Sequence, residues 1–153
     1  DDVFLYFFAS HGASLLIDCH QFGPLEIQVY MDAFASSKQV FIFNGCNSGK
    51  FITCKYTIAR EGRIILASCK EDEESYCNSV IKHGAFSYYL IEALSGKGDG
   101  TPIPPDFKGV KDGYVSAEEA FYYAEPRTIK EHYYHQHPQI YDGIEGEVWL
   151  TKV

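Results

Sequence analysis

The chain has 153 residues, 46% of them hydrophobic and 22% charged, with 12 Tyr and 11 Phe. That suits one aromatic-rich globular domain spanning residues 1–153 and argues against disorder. The net charge of -8 supplies none of the basic stripes that nucleic acid requires, and it disfavours an anionic membrane surface. No apolar run is long enough to span a bilayer.

The opening Asp1-Asp2 leads straight into Val3–Phe8 without a signal-peptide pattern, so any targeting segment is expected upstream. Val3 to Ala9 is a near-continuous apolar run and predicts a strand buried on both faces of a parallel sheet. Leu25 to Phe34 fits a crossover helix, with Leu25, Val29 and Met31 to Ala33 on one face. Val40 to Phe43 and Ile64 to Ala67 repeat the buried-strand signature. Gly84 to Leu94 predicts a helix through Phe86, Tyr89, Leu90 and Ala93. The Gly- and Pro-rich segment 96–113 predicts a long loop. Ser116-Ala117-Glu118-Glu119 is a capping box opening a helix that Pro126 is expected to stop. Val148 to Leu150 is a last short strand. This alternation predicts an α/β three-layer α/β/α sandwich with a mostly parallel sheet.

Each of the first two strands ends in reactive residues, Ala9-Ser10-His11-Gly12 and Asn44-Gly45-Cys46-Asn47-Ser48-Gly49. Ligand sites in open α/β sheets form at the carboxyl ends of strands. Neighbouring parallel strands lie about 5 Å apart, so a His and a Cys there can act as base and nucleophile. Backbone N–H groups of Gly12 and Cys46 then suit an oxyanion hole. Against this, a Cys at a strand end is usually a small buried hydrophobe.

The segments DDVFLYFFASHG, KQVFIFNGCNSGKF and RIILASCKEDEESY resemble, in order and spacing over Val3 to Tyr76, the caspase-like cysteine peptidases, nearest the legumain family. GAFSYYLIEAL resembles a helix of metacaspase-like proteins. The resemblance implies a caspase-like fold and a cysteine endopeptidase in which His11 and Cys46 are catalytic. It implies substrate contacts from Ser10, Asn44, Ser68, Glu73 and Ser75, with a peptide or protein as partner and no cofactor or metal. Legumains place Asp before the His, where this chain has Ser10, and an acid two residues before the Cys, where it has Asn44. Asparaginyl and Arg/Lys specificities are therefore not carried over, and the caspase Gln-Ala-Cys motif is absent.

That fold has two strands before the one carrying the His, so an N-terminal fragment or second chain is expected to complete the sheet. Rival readings are a catalytically silent peptide-binding module and a transamidase of the same fold.

The acidic run Glu71 to Glu74 would favour a basic P1 residue on charge alone; its alternative is a solvated loop. His132, His135 and His137 offer imidazoles, but without an acid or Cys at ligand spacing. Lys111 to Glu119 has the tail of a calcium loop but Lys108 and Val110 where ligands belong. Asp18 and Asp142 are possible orienting acids for His11, and Ser48 is expected to cap the helix after the nucleophile. Five cysteines fit two disulfides with one free thiol, including Cys69–Cys77 and Cys19–Cys54 pairs, or five reduced thiols.

Overall fold

The computed structural model describes residues 2–11, 15–17, 20–22, 24–55, 57–79 and 82–153. In chain order they form β1 (Val3–Ala9), β2 (Leu15–Ile17), β3 (His20–Phe22), α1 (Pro24–Met31), β4 (Lys38–Asn44), α2 (Lys50–Thr53) and β5 (Arg63–Ala67). The short strands β6 (Cys77–Asn78) and β7 (His83–Gly84) follow, then α3 (Ala85–Glu92), which closes in a π-turn over Ala93–Lys97. The remainder is β8 (Tyr114–Ser116), α4 (Ala117–Glu131), β9 (Gln139–Asp142) and β10 (Trp149–Lys152).

The central sheet has the order β1-β4-β5-β9. β1, β4 and β5 are parallel, and β9 is antiparallel to β5. Alternation along β4 sorts its side chains to two faces. Val40 and Ile42, with Ile64 and Leu66 of β5, pack under Phe86 and Leu90 of α3 and Ala120, Phe121 and Ala124 of α4. Phe41, Phe43 and Ile65 pack on the other face against Ile27 of α1 and Phe51 of α2. The chain is thus a mixed α/β protein with a mostly parallel sheet and helices on both faces, an arrangement compatible with a three-layer sandwich.

β1 departs from the expected burial. Phe4, Tyr6 and Phe8 pack against the Phe41–Phe43 side, but Leu5 and Phe7 on the other face are each 50% exposed. β1 lies at the sheet edge, and on this face Val3 is its residue that packs against the α3–α4 cluster. In α1 Ile27 is buried and Met31 packs beside it, while Leu25 and Val29 are exposed, so of the predicted face Met31 meets the core and Leu25 and Val29 do not. The Val148 strand exists but belongs elsewhere: β10 pairs with β8 in a separate antiparallel pair. The fourth strand of the main sheet is β9, whose polar-interrupted QIYD carries little apolar signal.

The capping box forms in full. Ser116 Oγ accepts the Glu119 N–H at 3.1 Å, and Glu119 Oε2 accepts the Ser116 N–H at 3.1 Å. Ser116 is fully buried, so Ser116→Ala is expected to cost about 1–2 kcal/mol, read as a lowered urea midpoint at unchanged slope. An unaltered midpoint would contradict that role for the cap.

Pro126 does not end α4, which continues to Glu131. Proline removes one intrahelical hydrogen bond and its ring crowds the carbonyl four residues back, so packing must offset both. Ala124 and Thr128, on either side of it, are buried in the core and hold the helix on course. Thr128 Oγ1 donates to the Ala124 carbonyl at 2.9 Å.

Candidate functional site

The register between β1 and β4 pairs Ala9 with Asn44, the last residues of the two strands. His11 and Cys46 each lie two residues beyond that pair. The ladder runs one bond further, with the Ser10 N–H donating to the Asn44 carbonyl at 3.1 Å. The two strand ends are pressed together at Gly45, where a Cβ would stand 2.6 Å from the Ser10 carbonyl oxygen. Any side chain there would force the strands apart and separate the residues that follow.

His11 and Cys46 line one cavity of about 520 Å³, with Ser10, Asn44 and Ser75 also in its wall. Phe7 and Ile91 form its apolar side. His11 is exposed and Cys46 half-buried. After Cys46 the chain turns through Asn47, whose φ of 58° is a left-handed conformation that Asn tolerates better than most residues. That turn aims the Asn47 N–H at the Glu73 carbonyl, 2.7 Å away, and its side-chain amide at the Glu71 carbonyl, 3.0 Å away.

The loop after β5 closes over the thiol. The Ser75 N–H donates to Cys46 Sγ at 3.4 Å, and the thiol faces the Ser75 carbonyl at 3.8 Å. The Ser75 hydroxyl donates to Asn44 Oδ1 at 3.4 Å. Asn44 in turn lies so close to Gly84 that a Cβ on Gly84 would meet its amide nitrogen at 2.6 Å. Ser10, Asn44 and Ser75 are therefore brought together with His11 and Cys46.

Two of the expected substrate contacts are placed differently. Ser68 is fully buried beneath the rim. Its hydroxyl accepts the Gly45 N–H at 3.1 Å and pairs with Ser48 at 3.2 Å, so it supports the nucleophile turn from below and offers a substrate nothing. Glu73 is absent from the cavity wall and has both carboxylate oxygens engaged by His137: the ring Nδ1 and the backbone N–H, each at 2.7 Å. Burial would raise the Glu73 carboxyl, but the His137 N–H and ring and the Lys70 N–H outweigh it and hold the group below the ordinary glutamate range.

The acidic run as a whole turns away. Glu71 accepts the Thr53 hydroxyl, and no carboxylate lines the cavity among the described residues. Lys82 and His83 line it instead. Among the described residues the acidic run therefore does not line this cavity, which corrects the expectation that it would.

Ser48 does not cap α2: the N-cap is Gly49, without a side-chain bond, and the Ser48 hydroxyl accepts the Cys69 N–H at 3.2 Å. Asp142 pairs with Ile64 at the start of β5, the end of the sheet opposite the His11 rim, so it does not orient His11. Gly12, Asp18 and Cys19 lie outside the described residues. Cys46, Cys54, Cys69 and Cys77 are free thiols, so no Cys69–Cys77 bridge forms. Burial pushes the Cys69 thiol up, the mark of an unreactive core cysteine.

Two imidazoles of the histidine-rich segment make contacts around the site. The His132 ring stacks on Tyr76 with centroids 5.2 Å apart, and His137 holds Glu73. Between them, Gln136 is fully buried and reaches the Ser75 loop. Sequence reasoning missed Gln136 because an isolated glutamine carries no periodic or motif signal; the neighbouring imidazoles drew attention to metals. Compared with protein families and with curated proteins, the chain matches none.

Proposed function

We propose that this chain is the catalytic part of a cysteine endopeptidase with a caspase-like fold, using Cys46 as nucleophile and His11 as general base. The reading rests on one observation: the parallel register carries a histidine and a half-buried thiol to the wall of the same cavity. Cys46 Sγ attacks the scissile carbonyl, and the S–H proton passes to His11. The tetrahedral oxyanion forms beside the Cys46 N–H, with the Gly12 N–H as the second donor the sequence suggests. Collapse expels the amine, which takes a proton from His11 and leaves a thioester on Cys46. Water, deprotonated by His11, then releases the acid product. No step calls for a cofactor.

The β1 edge supports a second part of the reading. Phe7 and the 60%-exposed Ile91 form an apolar strip at the cavity, and Leu5 lies on the Phe7 face of β1, at an edge that has β4 on one side only among the described strands. An additional segment or second chain that adds a strand there would bury this strip and remove a hazardous edge.

A peptide acyloxymethyl ketone is the direct test. It alkylates a thiol only when the peptide occupies the site and the sulfur is activated. Mass spectrometry is expected to find the label on Cys46. Cys77 is exposed in the wall of the same cavity and is the internal control. Equal labelling of the two thiols, or none, would sink the peptidase reading.

A further inference from the structure

We propose that Gln136 is a positioning residue for the Cys46 thiol, locking in place Ser75, the residue whose N–H touches the sulfur. This rests on the peptidase reading above and assigns that site a remote support.

The chain brings Gln136 to the rim for a topological reason. β9 is antiparallel to β5 and begins with Gln139 opposite Ala67, so the residues just before β9 arrive where β5 ends. There the Gln136 side chain, with no exposed surface, makes three hydrogen bonds. Its Nε2 donates to the Ser68 carbonyl at 2.8 Å and to the Ser75 hydroxyl at 3.3 Å, and its Oε1 accepts the Tyr76 N–H at 3.0 Å. One amide thus ties the end of β5 to both Ser75 and Tyr76. A carboxamide is suited to this task, since it donates and accepts from one rigid plane without a charge to desolvate.

Ser75 is the residue whose N–H donates to Cys46 Sγ. Two residues earlier, Glu73 is held by His137 and its carbonyl accepts the Asn47 N–H, next to the nucleophile. The loop from Glu73 to Tyr76 is therefore clamped between the nucleophile turn and residues 132–137. Ser75 contacts the sulfur through both its N–H and its carbonyl, so a loosened clamp frees the thiol from the one orientation these contacts define and slows its attack.

The test follows alkylation of Cys46 by iodoacetamide at pH 7, quantified by mass spectrometry, which requires no peptide substrate. In Gln136→Leu, which removes all three bonds, the Cys46 rate is expected to fall about tenfold while the Cys77 rate in the same sample keeps its wild-type value. A purely structural role would leave the Cys46 rate unchanged, or raise it as the loosened loop uncovers the thiol. His137→Asn, at a partly exposed position, removes the ring contact to Glu73 Oε1 while the backbone N–H stays on Oε2, and is expected to lower the rate by less; it carries the test if Gln136→Leu does not fold. Undiminished Cys46 rates in the folded variants overturn the clamp. A wild-type Cys46 that reacts no faster than Cys77 overturns the peptidase reading itself, so the two failures are told apart.

Discussion

Replacing Cys46 by alanine is expected to reduce peptide turnover by on the order of 10⁴- to 10⁶-fold while leaving the fold in place. The size of the loss follows from the chemistry. Without sulfur no thioester forms, and what remains is the polarisation of a bound carbonyl by nearby donors. The survival of the fold follows from the surroundings. Cys46 is half-buried at a cavity wall, and its sulfur has one weak donor, the Ser75 N–H at 3.4 Å. Removing it opens space already continuous with the cavity, so the stability cost is expected to stay below about 1.5 kcal/mol. His11→Ala is the companion measurement. His11 is exposed, so stability should change by less than about 0.5 kcal/mol while turnover falls by on the order of 10²- to 10⁴-fold. The readout is cleavage of a mixed peptide library, with thermal melts on the same samples. Undiminished cleavage by Cys46→Ala, with melts matching wild type, would refute the assignment.

Much of this site was legible because the sheet is parallel. In such a sheet a buried strand reads as an apolar run, and its carboxyl end is a privileged place for a ligand. FLYFFA before Ser10-His11 and VFIF before Asn44-Gly45-Cys46 carried both signals, and the observed register pairs Ala9 with Asn44. Equal offsets from one pair explain how the two strand ends bring His11 and Cys46 to one cavity wall. The capping box at Ser116 was equally readable, since it is a contract between residues three apart.

What failed were inferences that depended on distant partners. The acids at Glu71 to Glu74 looked like a pocket lining, but where a loop carboxylate points is decided by what docks on it. Here that is His137, 64 residues away from Glu73. Ser68 has the right place in the sequence for a substrate contact, yet the Gly45 backbone and Ser48 take its hydroxyl. Pro126 should have stopped a lone helix, but the burial of Ala124 and Thr128 outweighs the missing hydrogen bond and the crowding of the proline ring. β9 escaped notice because an edge strand that is half-covered needs no continuous apolar run.

A further large effect belongs to stability and concerns Glu118, on the first turn of α4. Its side chain is 3% exposed; Oε2 accepts the Val148 N–H at 3.1 Å, and Oε1 has no hydrogen-bond partner. Burial pushes its carboxyl up to about 7, against the lowering effect of the N–H groups of Glu118 and Val148, and Asp142 adds to the rise. Asp142, Glu119 and Glu147 share its cavity with the paired Asp106 and Lys108. The folded chain therefore holds a proton on Glu118 that the unfolded chain releases above the ordinary glutamate value of 4.5. Between pH 4.5 and 7 the unfolded state binds fewer protons, so stability falls as pH rises through that window and levels off above it. Its full extent is about 3 kcal/mol, since each pH unit of difference is worth 1.36 kcal/mol. Burial also raises Asp142 and Glu119, which adds to the same slope. His132 opposes it, because burial lowers that imidazole and its contribution is lost as pH falls. Glu118→Gln keeps the shape and the bond to Val148 but cannot ionise, and comparing it with wild type cancels the other groups. Wild type should lose about 3 kcal/mol more than the variant between pH 4.5 and pH 8, or roughly 6–12 °C in melting temperature for a domain of this size. Parallel stability curves for the two proteins across that range would show that Glu118 is not protonated in the folded chain, and that a charge sits unaided beside the Val148 backbone.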